Sequence, residues 1–232
     1  RLENNMVVLC NKPFTDNAEY EEHFERFPSI VLSDFQRWAF KAIVDEQHIL
    51  VTAHTGSGKT LPAEFAIQYF VEQGKKVIYT APIKALSNTK LSDLRAKYPS
   101  ISFGIITGDV TDNPEADVLI MTTEILPNTL ANRKLRRETG NCNVPLSFEM
   151  DIENELAAVV FDEVHYINDR ERGCVWEQAI MMLPPQVQLI MLSATIDRPE
   201  HLARWVEDVK SKQSDDLQQI HKTVYLAPTN HR

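Results

Sequence analysis

Apolar runs of four to seven residues recur along this chain, separated by longer segments in which apolar positions return at helical spacing. The runs at 49–53, 76–80, 103–107, 117–122, 156–161, 188–192 and 223–226 are rich in β-branched residues. They are short enough to be strands buried on both faces. Between them, 59–73, 83–98, 123–136, 174–183 and 199–210 carry the helical period. Alternating strands and helices predict βαβ units, hence an α/β domain with a parallel β-sheet sandwiched by helices.

Two stretches break the pattern. Residues 1–28 hold an acidic patch (Glu19, Glu21, Glu22, Glu25) without a clear period, and read as an N-terminal arm or edge element. Residues 136–155 are polar, with Gly140, three Asn and Pro145, and read as a long inserted surface loop. The segment 211–216 reads as a polar turn. The domain proper is expected over 29–226.

Composition narrows the class. At 232 residues, with 43% apolar and 25% charged side chains, the chain can bury a substantial core and is not of disordered type. No apolar run approaches the roughly 18–20 residues of a membrane span, so no membrane partner is expected. Cys10, Cys142 and Cys174 form no CxxC pair, which argues against a disulfide framework or a zinc site and fits a reducing, intracellular compartment. The first residue is Arg1 and nothing near it resembles a targeting peptide, so a trimmed piece of a longer protein is expected. A net charge of −9 disfavours nucleic acid only globally, because a local row of donors can still bind a strand.

The strongest chemical signal is Ala53-His54-Thr55-Gly56-Ser57-Gly58-Lys59-Thr60, which follows one predicted strand and opens a helix. Gly56 and Gly58 let backbone N–H groups converge on phosphate oxygens at the positive end of the helix. Lys59 is placed to reach β- and γ-phosphates, and the Thr60 hydroxyl to bind Mg²⁺. A second signal, Asp162-Glu163-Val164-His165, closes the strand 156–161. Ligands in parallel sheets bind beyond the carboxyl ends of strands, so these carboxylates fall beside the phosphate loop. Asp162 is expected to hold Mg²⁺ through water, with Glu163 near the metal and polarising the attacking water. His165 is read as a link between the nucleotide site and whatever the domain moves against. Ser193-Ala194-Thr195 ends another strand, where the Ser193 and Thr195 hydroxyls would bond those carboxylates and report nucleotide state.

Three further strand ends suit a polyanion: Pro82, Lys84, Ser87 and Asn88 at a helix start, Thr107 and Gly108 after a strand, and Thr122, Thr123 and Glu124 before the next helix. Each alone is an ordinary cap or turn. Together they predict a donor-rich row for single-stranded RNA, with DNA as an alternative.

In this order the motifs resemble the first RecA-like domain, a P-loop NTPase fold, of superfamily 2 DExH-box RNA helicases. AHTGSGKT, APIKALSNTK, ITGD, MTTEIL, FDEVHYINDRERG and LSAT carry the likeness, and the longest narrow it to the Ski/Mtr-like, exosome-assisting branch, a divergent viral member included. The resemblance implies ATP as cofactor, Gln36 as an adenine-reading residue, and RNA-degradation machinery as a partner. It implies a nuclear or cytoplasmic protein, or one of the virion or viral factory if viral. It departs at Ile30, where the branch usually places an adenine-stacking Phe, which makes Phe27 the candidate. It also departs in the length of 136–155, an insertion expected near the nucleic-acid face. None of the seven glycines is followed by Arg, so the arginine-finger motif of a second RecA-like domain in cis is expected elsewhere, with 227–232 starting the linker to it. Arg170 and Arg172 read as surface or interdomain residues. By itself the fragment is expected to be nearly inactive as an ATPase. A nucleotide-regulated scaffold is the competing class, and the presence of both Lys59 and Glu163 speaks against it.

Overall fold

The computed structural model describes residues 7–165 and 173–229, the side chains of 173 and 174 aside. The strands are β1 (Val8–Leu9), β2 (His48–Thr52), β3 (Lys76–Ala81), β4 (Phe103–Ile106), β5 (Thr111–Asp112), β6 (Val118–Thr122), β7 (Leu156–Phe161), β8 (Gln188–Ser193) and β9 (Val224–Pro228). The helices are α1 (Asn17–Phe24), α2 (Asp34–Val44), α3 (Leu61–Glu72), α4 (Lys84–Lys97), α5 (Ile125–Thr139), α6 (Gly173–Met182) and α7 (Pro199–Asp216). One sheet has the order β1-β9-β2-β8-β7-β3-β6-β4-β5. Every pairing is parallel except that of β4 with β5.

The strands hold because both faces are covered. Ile49, Val51, Val77 and Tyr79 face one apolar core, with side chains of α2, α3 and α4. Leu50, Ile78 and Met121 face the other, with α5, α6 and α7. This is the two-residue alternation of a strand split between two helical layers. Because each crossover helix returns the chain to the same edge, the carboxyl ends of β2, β8, β7, β3, β6 and β4 lie side by side in that order. That edge carries every chemical motif.

The N-terminal segment is an edge element built into the domain. β1 pairs with β9, and Phe14, Tyr20 and Phe27 are buried. The helix α2 is not among the expected helices, yet Ser33-x-x-Gln36 ahead of Ala39, Phe40 and Ile43 is a helix-start signature. Ser33 N–H donates to Gln36 Oε1 at 3.0 Å.

The polar turn at 211–216 does not form. α7 continues to Asp216, since the Lys210 ammonium and the Gln213 amide donate to carbonyls at the end of α6: Ile180 (2.5 Å) and Leu183 (2.8 Å) for Lys210, Met181 (2.5 Å) for Gln213. The segment 136–155 is also different from expectation. α5 runs to Thr139 and stops at Gly140 in the left-handed conformation (φ 66°). Phe148, Met150 and Ile152 then alternate into the second core. α5 starts at the carboxyl end of β6 and runs back along the sheet, so this segment crosses the opposite edge, away from the candidate nucleic-acid residues. At the C-terminus β9 includes Ala227 and Pro228, so any linker starts later than 227.

Candidate functional site

The phosphate-loop residues leave β2 and enter α3. Gly56 and Gly58 sit at φ 85° and 84°, where other residues are strained. A Cβ at Gly58 would also lie 2.5 Å from Gln36 Nε2. The loop is closed by Ser57, whose N–H and hydroxyl both donate to His54 O, at 3.2 and 2.6 Å. Its start is tied to the neighbouring strand by Ala53 N–H on Ser193 O, at 3.0 Å. Ala53 is buried while His54, Thr55 and Gly56 are exposed. Thr60 caps α3, which carries Pro62 in its first turn, where the missing N–H costs nothing. The cap places the positive end of α3 directly behind Lys59 and Thr60.

Lys59 is 9% exposed, with Nζ 3.7 Å from Glu163 Oε1. The other Glu163 oxygen meets His165 Nε2 at 3.0 Å. His165 Nδ1 in turn accepts the Ala194 N–H at 3.1 Å, so the ring proton belongs on Nε2 and is donated to Glu163. Glu163 has φ 58°, an uncommon backbone for a residue with a side chain. It is held there by contacts on both sides, in the manner of strain kept at functional positions.

Asp162 is organised differently. Its N–H donates to Thr80 O at 3.0 Å, and the Tyr79 hydroxyl donates to its Oδ2. Burial, reinforced by the Asp162 charge, pushes the Tyr79 phenol well above its ordinary pKa, so it stays a donor. Asp162 Oδ1 is buried, with no hydrogen-bond partner among the described residues. A buried carboxylate oxygen left unbonded suits a hard cation or its water. Asp162 could therefore hold a hard cation such as Mg²⁺. Glu163 turns one oxygen to Lys59 and the other to His165.

The expected hydroxyl link from the Ser-Ala-Thr motif is corrected by the geometry. Ser193 is buried and its hydroxyl donates to Ala194 O at 2.7 Å, while Thr195 is exposed. The connection to the carboxylates runs through the Ala194 backbone N–H and His165. A short rigid amide does this better than a rotatable hydroxyl.

Gln36 is buried, with Nε2 donating to Gly58 O at 2.9 Å and Oε1 accepting from Ser33. It thus braces the phosphate loop with both ends of its amide. Phe27 is not available for base stacking. It is 8% exposed, inside the first core, its ring 5.8 Å from that of Phe40. Ile30 is 43% exposed nearby in sequence. A cavity of 320 Å³ adjoins the loop, with Cys10, Lys12, Ser33, Phe35, His54 and Ser57 in its wall. The contribution of Cys10 and Lys12 has no sequence signal; the pairing of β1 with β9 and the Trp38 indole N–H on Lys12 O (2.8 Å) bring them there.

The candidate nucleic-acid residues do lie along adjacent strand ends, β3, β6 and β4. Three of them are inward-facing. Ser87 donates its hydroxyl to Ile83 O (3.2 Å), Thr107 Oγ1 accepts from Val110 N–H (3.2 Å), and Thr122 donates to Glu124 (2.7 Å). Small hydroxyl residues at these turns are spent on local capping, as such residues often are. Exposed at this edge are Lys84, Asn88 and Gly108, with Pro82, Thr123 and Glu124 partly so. Lys84 is ion-paired with Asp109. Arg170 and Arg172 lie outside the described residues, as does most of the segment after His165.

Comparison with known proteins bears on this geometry. Antiviral helicase SKI2 of Saccharomyces cerevisiae is 41% identical over 181 residues, which is 78% of this chain and 13% of that protein. Exosome RNA helicase MTR4 of Homo sapiens is 41% identical over 176 residues, 76% of this chain and 15% of that one. The chain therefore spans a small part of the relatives it matches. Among solved structures, helicase Lhr of Mycobacterium smegmatis bound to ssDNA and AMP-PNP superposes with a TM-score of 0.64 at 27% identity, over 92% of this chain and 28% of that one. The profile described as DEAD/DEAH box helicase matches residues 33–202, from the Ser33 cap of α2 into α7. With the loop, the carboxylates and the Ser-Ala-Thr turn all inside that match, the chain belongs to the DEAD/DEAH box helicase family.

Proposed function

We propose that this chain is the first RecA-like domain of an ATP-dependent RNA helicase, coupling Mg-ATP hydrolysis to translocation on RNA or its unwinding. The observation that carries the reading is the continuous chain Lys59–Glu163–His165–Ala194, which joins the ends of β2, β7 and β8. A loop that merely bound phosphate would not need its lysine beside a carboxylate that is itself held by a histidine.

The chemistry follows from charge. Lys59 turns from Glu163 to the β- and γ-phosphates as nucleotide enters, and the N-terminus of α3 adds its N–H groups. Glu163, released from Lys59 but still held by His165, accepts a hydrogen bond from the attacking water and sets it in line with the γ-phosphorus. When bound by Thr60 and Asp162, Mg²⁺ supplies neutralisation of the phosphate oxygens. Among the described residues no group of three or more His, Cys, Asp or Glu is placed to hold a metal by itself. An arginine from a second RecA-like domain in cis completes the charge compensation. The His165–Ala194 bond is the route by which the γ-phosphate state reaches the Ser-Ala-Thr turn and the facing domain.

RNA is favoured over DNA by the relatives at 41% identity, one of them described as an exosome RNA helicase. The same likeness suggests RNA-degradation machinery as a partner and the nucleus or cytoplasm as location. DNA is the second reading, supported by the solved Lhr complex with ssDNA. ATP turnover by the full-length protein, with single-stranded RNA against single-stranded DNA, separates the two. Stimulation by DNA alone would overturn the RNA reading, and turnover indifferent to both would favour a nucleotide-regulated scaffold.

A further inference from the structure

The hydroxyl of Tyr79 has no packing reason to exist. Its ring is fully buried in the first core, on β3 next to β7, with the Lys90 ammonium 5.8 Å from its centroid. A phenylalanine would fill the same space without carrying a polar oxygen into a dry core, where an unbonded hydroxyl is costly. The oxygen is bonded, and its partner is Asp162 Oδ2. The pairing of β3 with β7 aligns Tyr79 with Val160 and Thr80 with Phe161, so the phenol reaches the first residue beyond the strand end. The Asp162 backbone is fixed as well, by its N–H on Thr80 O. The carboxylate thus has one oxygen taken and the other, Oδ1, buried and unbonded among the described residues.

We propose that Tyr79 is a positioning residue for metal selection: by holding Asp162 Oδ2 it presents Oδ1 alone, for one-oxygen contact made directly with the cation that accompanies nucleotide and not through the water that the sequence reading expects. This rests on the reading of Asp162 as the metal-holding residue. One-oxygen contact suits Mg²⁺, which demands near-octahedral geometry, whereas Ca²⁺ readily takes both oxygens of a carboxylate. The fixed carboxylate favours the smaller ion.

The experiment uses the full-length protein and a fluorescent non-hydrolysable ATP analogue, titrated with Mg²⁺, with Ca²⁺, or in EDTA. Tyr79→Phe is expected to raise the Mg²⁺ concentration needed for tight nucleotide binding about tenfold or more, the usual cost of losing a partner that orients a metal ligand. The Ca²⁺ requirement should change less, and the affinity in EDTA should not change. An unchanged Mg²⁺ requirement, or an equal loss in Mg²⁺ and in EDTA, overturns the proposal. Asp162→Asn run in parallel separates the two levels. If it leaves the Mg²⁺ effect intact, the metal reading of Asp162 fails. If it abolishes that effect while Tyr79→Phe does not alter it, only the role of Tyr79 falls.

Discussion

Replacing Glu163 by Gln should move nucleotide binding and turnover in opposite directions. Lys59 Nζ stands 3.7 Å from Glu163 Oε1. At an effective dielectric near 20 the attraction at this range is about 4 kcal/mol. Much of it is offset by desolvation and ordering, and the Glu163 side chain keeps contact with solvent, so a net value of about 1 kcal/mol is the fair figure. Incoming phosphate must compete with that pair for the lysine. Glu163→Gln removes the competitor and should tighten Mg-ATP binding about fivefold, the equivalent of 1 kcal/mol. The amide cannot accept the water's proton, so turnover should fall by roughly 10²–10⁴. Equilibrium binding of a fluorescent nucleotide and single-turnover hydrolysis, both in the full-length protein, read the two effects separately. Turnover within tenfold of the parent would refute the role of Glu163. Weakened binding would refute the competition argument.

Lys59→Ala should lower both nucleotide affinity and turnover, since its charge contacts phosphate in ground and transition states alike; isothermal titration checks the first. Asp109→Ala should free Lys84 from its ion pair, tightening single-stranded RNA binding and steepening the salt dependence by about 0.7 in log–log slope, as filter binding at several salt concentrations would show. Absence of both changes would remove Lys84 from the RNA contact. Burial, aided by the Asp208 charge, pushes the Glu207 carboxyl up to about 7, so the folded chain holds a proton there that the unfolded chain releases nearer 4.5. This contribution is fully present below pH 4.5 and lost as pH rises through 7. Glu207→Gln should flatten the decline in melting temperature over that interval; an unaltered decline would place its origin elsewhere.

The sheet was legible because its strands are buried on both faces and so read as apolar runs. The register 156–161 matches β7 residue for residue. Readings failed where a segment's fate depends on a distant partner. The turn foreseen at 211–216 is polar in composition, yet Lys210 and Gln213 find acceptors on α6, some thirty residues away in sequence, and these continue the helix. Phe148, Met150 and Ile152 alternate among polar residues, and their burial depends on the second core they meet. Helix α2 is signalled by its Ser33–Gln36 capping pair and not by an apolar run of its own.

In the site, residue types were legible and pairings were not. Motif spacing located Lys59, Asp162, Glu163 and His165 at strand ends, because a parallel sheet gathers those ends whatever its strand order. Which of them touch depends on order and register. β8 lies between β2 and β7, and this alone lets the Ala194 amide reach His165 while Lys59 reaches Glu163 across the same gap. Tyr79 meets Asp162 across 83 residues of sequence only because β3 is the next strand beyond β7. The same reasoning explains why the hydroxyls of Ser87, Thr107, Thr122 and Ser193 were overvalued. A small polar residue at a strand end is always near some backbone group, and local bonding is reached with less ordering than a bond to a distant ligand. Long or planar side chains, such as Lys59, His165 and Tyr79, span the distance between strands, and these are the ones that assemble the site.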